Sequence, residues 1–214
     1  TSITKQVIDT GDALAKMSVK TGVAVEDLSK LEYAAGLSGV SFEQLEKGLV
    51  TLGQQIGSAG AGNAEAAAKF QSLGVSVRDA GGKLRPTIDV FYDIADAIAA
   101  LPEGAAQTNA AIDIFGAKVG RDLVVALAGG SEAIKAMGQE LTDLGGVMST
   151  ELAKASEEFN DNLDRLAKLS STAGIAIGNA LLPSLNKLLG SFLDLKTSGV
   201  NLADLLFGQN FNTM

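Results

Sequence analysis

The chain has 214 residues and a formal net charge of −8, and 46% of its residues are hydrophobic, so it can bury a core in one domain or two small ones. It contains neither cysteine nor histidine, which excludes disulfides, thiol nucleophiles, Cys/His zinc sites and imidazole catalysis. The acidic balance argues against general binding to nucleic-acid phosphates, and no apolar run reaches about 18 residues, so no transmembrane helix is predicted.

The first 72 residues show apolar positions three and four apart, which predicts consecutive helices. These helices are expected over 4–19, 25–37, a segment after Ser41, and 64–72. Gly22 should end the first helix. Ser41 followed by Gln44 predicts a capping box, and Asn63 should cap the fourth helix. The residues expected on buried faces of the first three helices are Val7, Ile8, Leu14, Met17, Leu28, Leu31, Ala35, Phe42, Leu45, Leu49, Leu52 and Ile56.

One segment carries a β signal. Val75 and Val77 alternate with polar residues, and the four residues 79–82 include two glycines that tolerate a tight turn. The pattern predicts a small β-hairpin near 75–85, with an extended loop as the alternative.

The next predicted helix begins at Pro86 and Thr87. Its apolar positions at helical spacing are Ile88, Phe91, Tyr92, Ala95, Ile98 and Ala99. Asp89, Asp93 and Asp96 lie on the other side, where they form either a divalent-metal or catalytic cluster or a solvated face. The solvated face is favoured because no partner acid, base or nucleophile accompanies them. Replacing the three aspartates by asparagine should therefore change stability little.

From Ser149 the pattern predicts a long amphipathic helix that continues to Lys196, with a bend near 174–183 and a short tail helix beyond it. Gly174 and Gly178 indicate a close contact between soluble helices rather than a membrane helix. The apolar stripe expected to bind a partner helix consists of Leu152, Phe159, Leu163, Leu166 and Leu169.

The predicted fold class is mainly α. A compact multi-helix domain punctuated by glycines, with one small β-hairpin, is expected over 1–146. The long helix and the tail helix occupy 147–214. The first residues lack the apolar core of a signal peptide, and the missing initiator methionine suggests an internal fragment.

Five segments in order resemble the N-terminal region of tail tape measure proteins from long-tailed bacteriophages and prophages, from about residue 20 to about residue 195. The segments are VEDLSKLEYAAGLSGVSFEQLEKGL, FQSLGVSVRDAGGKLRPTIDVFYDIADAIAALP, AIDIFGAKVGRDLVVAL, EFNDNLDRL and ALLPSL.

The resemblance implies a virion structural protein rather than an enzyme. Several copies would occupy the lumen of the tail tube, set its length during assembly in the host cytoplasm, and leave ahead of the DNA at ejection. The implied partners are further copies of the chain, the tail-tube protein and tail assembly chaperones, with contact to the host envelope at ejection and no direct binding to nucleic acid. No catalytic, cofactor-binding or metal-binding residue carries over.

Two other functions remain open from the residues. The first is a helical protein-interaction module unrelated to tails, such as a secreted effector or a chaperone-like bundle. The second is an enzyme that uses aspartate and glutamate alone, such as a glycoside hydrolase. The enzyme is disfavoured because the chain has no tryptophan and only two tyrosines to stack on sugars.

Overall fold

The computed structural model describes residues 3–168, 183, 186–188 and 190, and the described residues are mainly α-helical, which confirms the predicted class at that level. The helices are α1 (Ile3–Thr21), α2 (Val25–Leu37), α3 (Phe42–Gly60), α4 (Ala64–Ser72), α5 (Thr87–Ala99), α6 (Ala105–Phe115), α7 (Ala117–Leu127), α8 (Gly130–Asp143) and α9 (Thr150–Lys168).

Local capping explains where several helices begin and end. The Ser41 hydroxyl accepts a hydrogen bond from Gln44 N–H at 3.3 Å, and the Gln44 side chain accepts one from Ser41 N–H at 2.7 Å. The Asn63 side chain accepts from Ala66 N–H at 2.9 Å at the start of α4. Gly22 follows α1 with φ +69°, a conformation in which glycine carries little strain. The predicted capping box, N-cap and helix end are confirmed.

The predicted β-hairpin is wrong, because the described residues form no strand between 75 and 85. Arg78 and Leu84 make a single isolated antiparallel bridge. The Asp79 carboxylate accepts a hydrogen bond from Lys83 N–H at 2.9 Å, so a side chain satisfies a backbone donor inside the turn. Backbone hydrogen bonds from Asp79 N–H to Lys83 O at 2.9 Å and from Arg85 N–H to Val77 O at 3.0 Å flank the bridge, so the segment is a closed turn rather than the extended loop given as the alternative.

The chain divides into two compact units. One unit is Met17–Leu144, and the other joins Thr1–Lys16 with Gly145–Met214. The sequence placed the first sixteen residues with the following helices instead. Their side-chain contacts with α9, described below, were not visible as a pattern in the sequence.

The unit Met17–Leu144 is held together by small and branched apolar side chains. Helix α3 packs against α2 and against α4 to α7, while α6 packs along α7 and α2 along α8. Among its largest fully buried side chains are Phe70, Phe115, Leu28, Leu31, Leu45, Leu49, Leu52, Ile94, Ile98 and Ile114. The predicted inner face of α3 is confirmed, except that Phe42 is half-buried.

The buried face of α5 differs from the prediction. Val90 and Ile94 are fully buried, although the sequence pattern had not assigned them to the core. Ile88 and Tyr92, which it had assigned there, are half-buried. The buried residues of α5 still form one stripe at helical spacing, but the stripe is rotated around the helix from the predicted one, as α5 packs mainly against α8 and α3.

Candidate interaction surface

The three aspartates of α5 do not form a common site. The Asp96 carboxylate accepts hydrogen bonds from Ser131 N–H at 2.7 Å and from the Ser131 hydroxyl at 2.9 Å. Asp93 pairs with the Arg85 guanidinium at 2.6 Å, whereas Asp89 is exposed. No group of three or more candidate metal ligands occurs in the part of the chain that the structure describes. Asp93, with 43% of its side chain exposed, and the exposed Asp96 face solvent as the sequence predicts, and each also binds a residue outside α5.

A groove of about 250 Å³ lies in the unit Met17–Leu144, between α2, α5 and α8. Its lining residues are Asp27, Lys30, Tyr92, Ile134, Lys135, Gly138 and Gln139. The Lys135 ammonium lies 4.8 Å from the centroid of the Tyr92 ring, a cation–π contact. Burial, and then the charges of Asp27 and Asp89, raise the pKa of Tyr92. The phenol therefore stays protonated near neutral pH and can donate a hydrogen bond but cannot act as a base.

Helix α9, which carries the predicted partner stripe, begins at a serine cap. The Ser149 hydroxyl accepts a hydrogen bond from Leu152 N–H at 3.2 Å, which satisfies a donor of the first turn. Ala153, Ala155 and Ser156 are buried on the next turn. These small side chains let another backbone come close to α9 at this end.

Helix α1 makes that close approach. A Cβ atom at Gly11 would lie 2.5 Å from the Ser156 Oγ and 2.8 Å from its Cβ, so the contact requires glycine. One turn further along α9, the Asn160 amide donates a hydrogen bond to Asp12 Oδ2 at 3.1 Å. The sequence analysis did not predict this pairing of α1 with α9. Glycine also occurs on solvent-exposed faces of helices, so Gly11 alone does not indicate a close helix contact.

The same contact places a lysine among carboxylates. Lys16 Nζ lies 2.7 Å from Asp12 Oδ1. The hydrogen bond with Asp12 raises the pKa of Lys16, and the charges of Asp12, Asp161 and Glu157 add to this against the opposing effect of burial. Lys16 therefore stays charged and pairs with Asp12 within α1.

The five residues of the predicted stripe have different environments. Leu152 is 3% exposed and so is covered by its own chain. Phe159 is half-buried, and Leu163 is 39% exposed. The side chain of Leu166 and the whole of Leu169 lie outside the described residues. Among the stripe side chains that the structure describes, Leu163 is therefore the most accessible, and Phe159 keeps only part of its surface open.

The predicted long helix is not straight between Glu158 and Lys187, which is compatible with the bend predicted near 174–183. Lys187 Nζ lies 2.6 Å from Glu158 Oε2, yet 29 residues along a straight helix would separate them by about 43 Å. Glu158 and Lys187 therefore do not share one straight helix. The Gly174 and Gly178 contact, most of the predicted bend near 174–183 and the tail helix lie outside the described residues.

Within the described ranges, no helix has both the length and the hydropathy needed to cross a bilayer. Comparisons of the chain with protein-family models, curated proteins and solved structures found no match.

Proposed function

We propose that this chain is a segment of a phage tail tape measure protein, which sets the length of the tail tube during assembly and leaves the tube ahead of the DNA. The observation that carries the proposal is the ordered series of five resembling segments from about residue 20 to about residue 195. Its predominantly helical structure is compatible with this role, because a helix adds a constant 1.5 Å for each residue.

A ruler needs an extended form that differs from the compact unit. As one continuous helix, Met17–Leu144 would span about 190 Å, whereas a folded unit of that size has a radius of gyration of about 14 Å. Glycine joints such as Gly116, which links α6 to α7 with φ +85°, are places where short helices can realign. We therefore assign the compact packing to the state of the chain outside the tail tube, and the extended form to the state inside it.

The exposed part of α9 is the proposed contact for other copies of the chain or for a tail assembly chaperone. Leu163 and the open part of the half-buried Phe159 supply apolar surface, flanked by the exposed side chains of Glu158, Asp161 and Asp164. An amphipathic helix of this kind binds by laying its apolar side into a groove or against another helix. The net charge of −8 fits a lumen protein that does not hold the DNA that follows it.

Tail length is the direct test. In the phage or prophage that encodes the chain, an in-frame deletion of residues 17–144 should shorten the tails by about 190 Å, and a tandem duplication should lengthen them by the same amount. Electron microscopy of negatively stained tails measures both changes. A synonymous recoding of the same segment is the matched control and should leave the length unchanged.

Tails of normal length and yield from the deletion would contradict the ruler function. The helical interaction module unrelated to tails would then be the better reading. Shorter tails from the deletion together with proportionally longer tails from the duplication would show that such a module is not the whole function.

A further inference from the structure

The described residues beyond α9 return to it. Lys187 Nζ lies 2.6 Å from Glu158 Oε2 and 3.0 Å from Oε1, so the ammonium binds both carboxylate oxygens. Pro183, residues 186–188 and Gly190 are helical, and we call these residues the clasp segment. Leu188, the neighbour of the anchoring lysine, is only 3% exposed. The clasp segment is thus anchored by the ion pair of Lys187, and its Leu188 side chain is removed from solvent.

The anchor point lies on a different side of α9 from the contact with α1. At about 100° per residue, Asn160 lies about 40° from Ser156 around the helix, and both contact α1. Glu158 points about 160° away from Ser156. The shorter arc between them contains Phe159 and Ala155, which are half-buried and buried.

We propose that the clasp segment covers this arc of α9 from within the same chain, and that a partner of α9 must displace it. The ion pair of Lys187 with Glu158 sets its position, and the neighbouring Leu188 is buried at 3% exposure. The identity of the competing partner, another copy or a chaperone, rests on the proposed function. The intramolecular cover itself does not.

A partner can displace the clasp segment from α9 because its contact is weak. The side chains of Lys187 and Glu158 remain 60% and 49% exposed, and ion pairs this accessible orient a contact more than they strengthen it. Tethering in one chain gives the clasp segment a high effective concentration without a tight contact. A partner helix that buries Phe159 and Leu163 together would therefore compete with it.

The first test is chemical cross-linking of the full 214-residue chain, which has no native cysteine to interfere. Glu158→Cys with Lys187→Cys should react with a short bismaleimide to give a link within one monomer, found by peptide mass spectrometry. The control, Asp164→Cys with Lys187→Cys, uses an exposed position on another side of the same helix. The first pair should link about tenfold more, since proximity in one chain raises the effective concentration.

Equal linking in the control pair would overturn the proposal. A link found only in dimers would also overturn it and would make a second copy the occupant of this side of α9.

Charge reversal is the second test, and it changes only exposed atoms. Lys187→Glu places two carboxylates together, so amide hydrogen exchange over residues 155–163 should accelerate a few-fold as the cover opens. The swap of Glu158→Lys with Lys187→Glu should restore the slow exchange. Unchanged exchange in the single variant, or no rescue by the swap, would count against the clasp. Tail lengths in the deletion experiment do not depend on either result, so the two proposals can fail separately.

Discussion

Gly120 and Gly57 are both helical glycines, but their surroundings predict opposite responses to the same substitution. A Cβ at Gly120 would lie 2.5 Å from the Ala111 carbonyl oxygen and 2.6 Å from the Ile112 Cα. These are backbone atoms of α6 and cannot rotate away. At Gly57 in α3, a Cβ would meet nothing within 4 Å.

We expect Gly120→Ala to lower the free energy of unfolding by about 1–3 kcal/mol, because the added methyl group forces α6 and α7 apart. Gly57→Ala should raise it by about 0.5–1 kcal/mol through helix propensity. Urea denaturation of both variants measures the difference. Equal effects would show that α6 and α7 do not pack as closely as described.

Glu32 provides a prediction about pH. Burial raises the pKa of Glu32 above its ordinary value near 4.5, so the folded state binds this proton more tightly than the unfolded state. The corresponding stability is present below pH 4.5 and is lost as the pH rises through the raised value.

Glu32→Gln should consequently raise the melting temperature near neutral pH and flatten the decline in stability above pH 4.5. Glu103→Gln, which removes a charge from an exposed loop, is the matched control and should do neither. Thermal unfolding followed by circular dichroism from pH 4 to pH 8 gives both readings. A Glu32→Gln profile parallel to that of the unmodified chain would refute the prediction.

At the scale of elements, α5 and α8 are joined by an aspartate that caps a neighbouring helix. Asp96 belongs to α5, but its carboxylate binds the backbone N–H and the hydroxyl of Ser131 in the first turn of α8. A carboxylate at a helix N-terminus is also favoured by the helix dipole. Gly130, with φ +73°, has its ideal Cβ position 3.1 Å from Asp96 Oδ1, so the capping geometry leaves little room for a side chain there.

Asp96→Asn should lower the free energy of unfolding by about 1–2 kcal/mol, because the amide loses the charge and one acceptor. Asp89→Asn, at an exposed position on the same helix, should change it by less than about 0.5 kcal/mol. Denaturant unfolding of the two variants provides the comparison. An unchanged free energy of unfolding in Asp96→Asn would show that the bonds of Asp96 to Ser131 contribute nothing to stability.

At the scale of the whole molecule, the proposed tape measure function would require apolar surface on α9 for a partner to bind. Leu152 is covered by its own chain and Phe159 is half-buried, so Leu163 is the most accessible of the described stripe residues. Glutamate in place of leucine in the stripe should prevent a partner from binding without removing a fully buried side chain from the core.

Leu163→Glu with Leu166→Glu in the phage should reduce the yield of tails without altering the tail-tube protein, because the apolar contact with another copy or a chaperone is lost. Leu144→Glu, at a residue 68% exposed outside α9, is the control and should give normal yields. Tails are counted by electron microscopy, and tube protein is measured by immunoblot. Normal numbers of full-length tails from the double variant would contradict the assembly role of α9.

The sequence by itself determined the bounds and caps of several helices in the first half of the chain. The bounds of α2 and α4 match the predicted 25–37 and 64–72, and the caps at Ser41 and Asn63 form as expected. These features depend on neighbours within about four residues, and helical periodicity and capping chemistry record such neighbours directly.

Tertiary structure decided which faces meet. Gly11 against Ser156, Asp96 at the start of α8 and Lys187 on Glu158 each join residues far apart in the chain, and no local pattern encodes such partners. Near Asp79, backbone hydrogen bonds close a turn around a single bridge, and the pairing extends no further into strands. Local propensity is worth only tenths of a kcal/mol per residue, so packing and polar contacts between elements outweigh it wherever the two disagree.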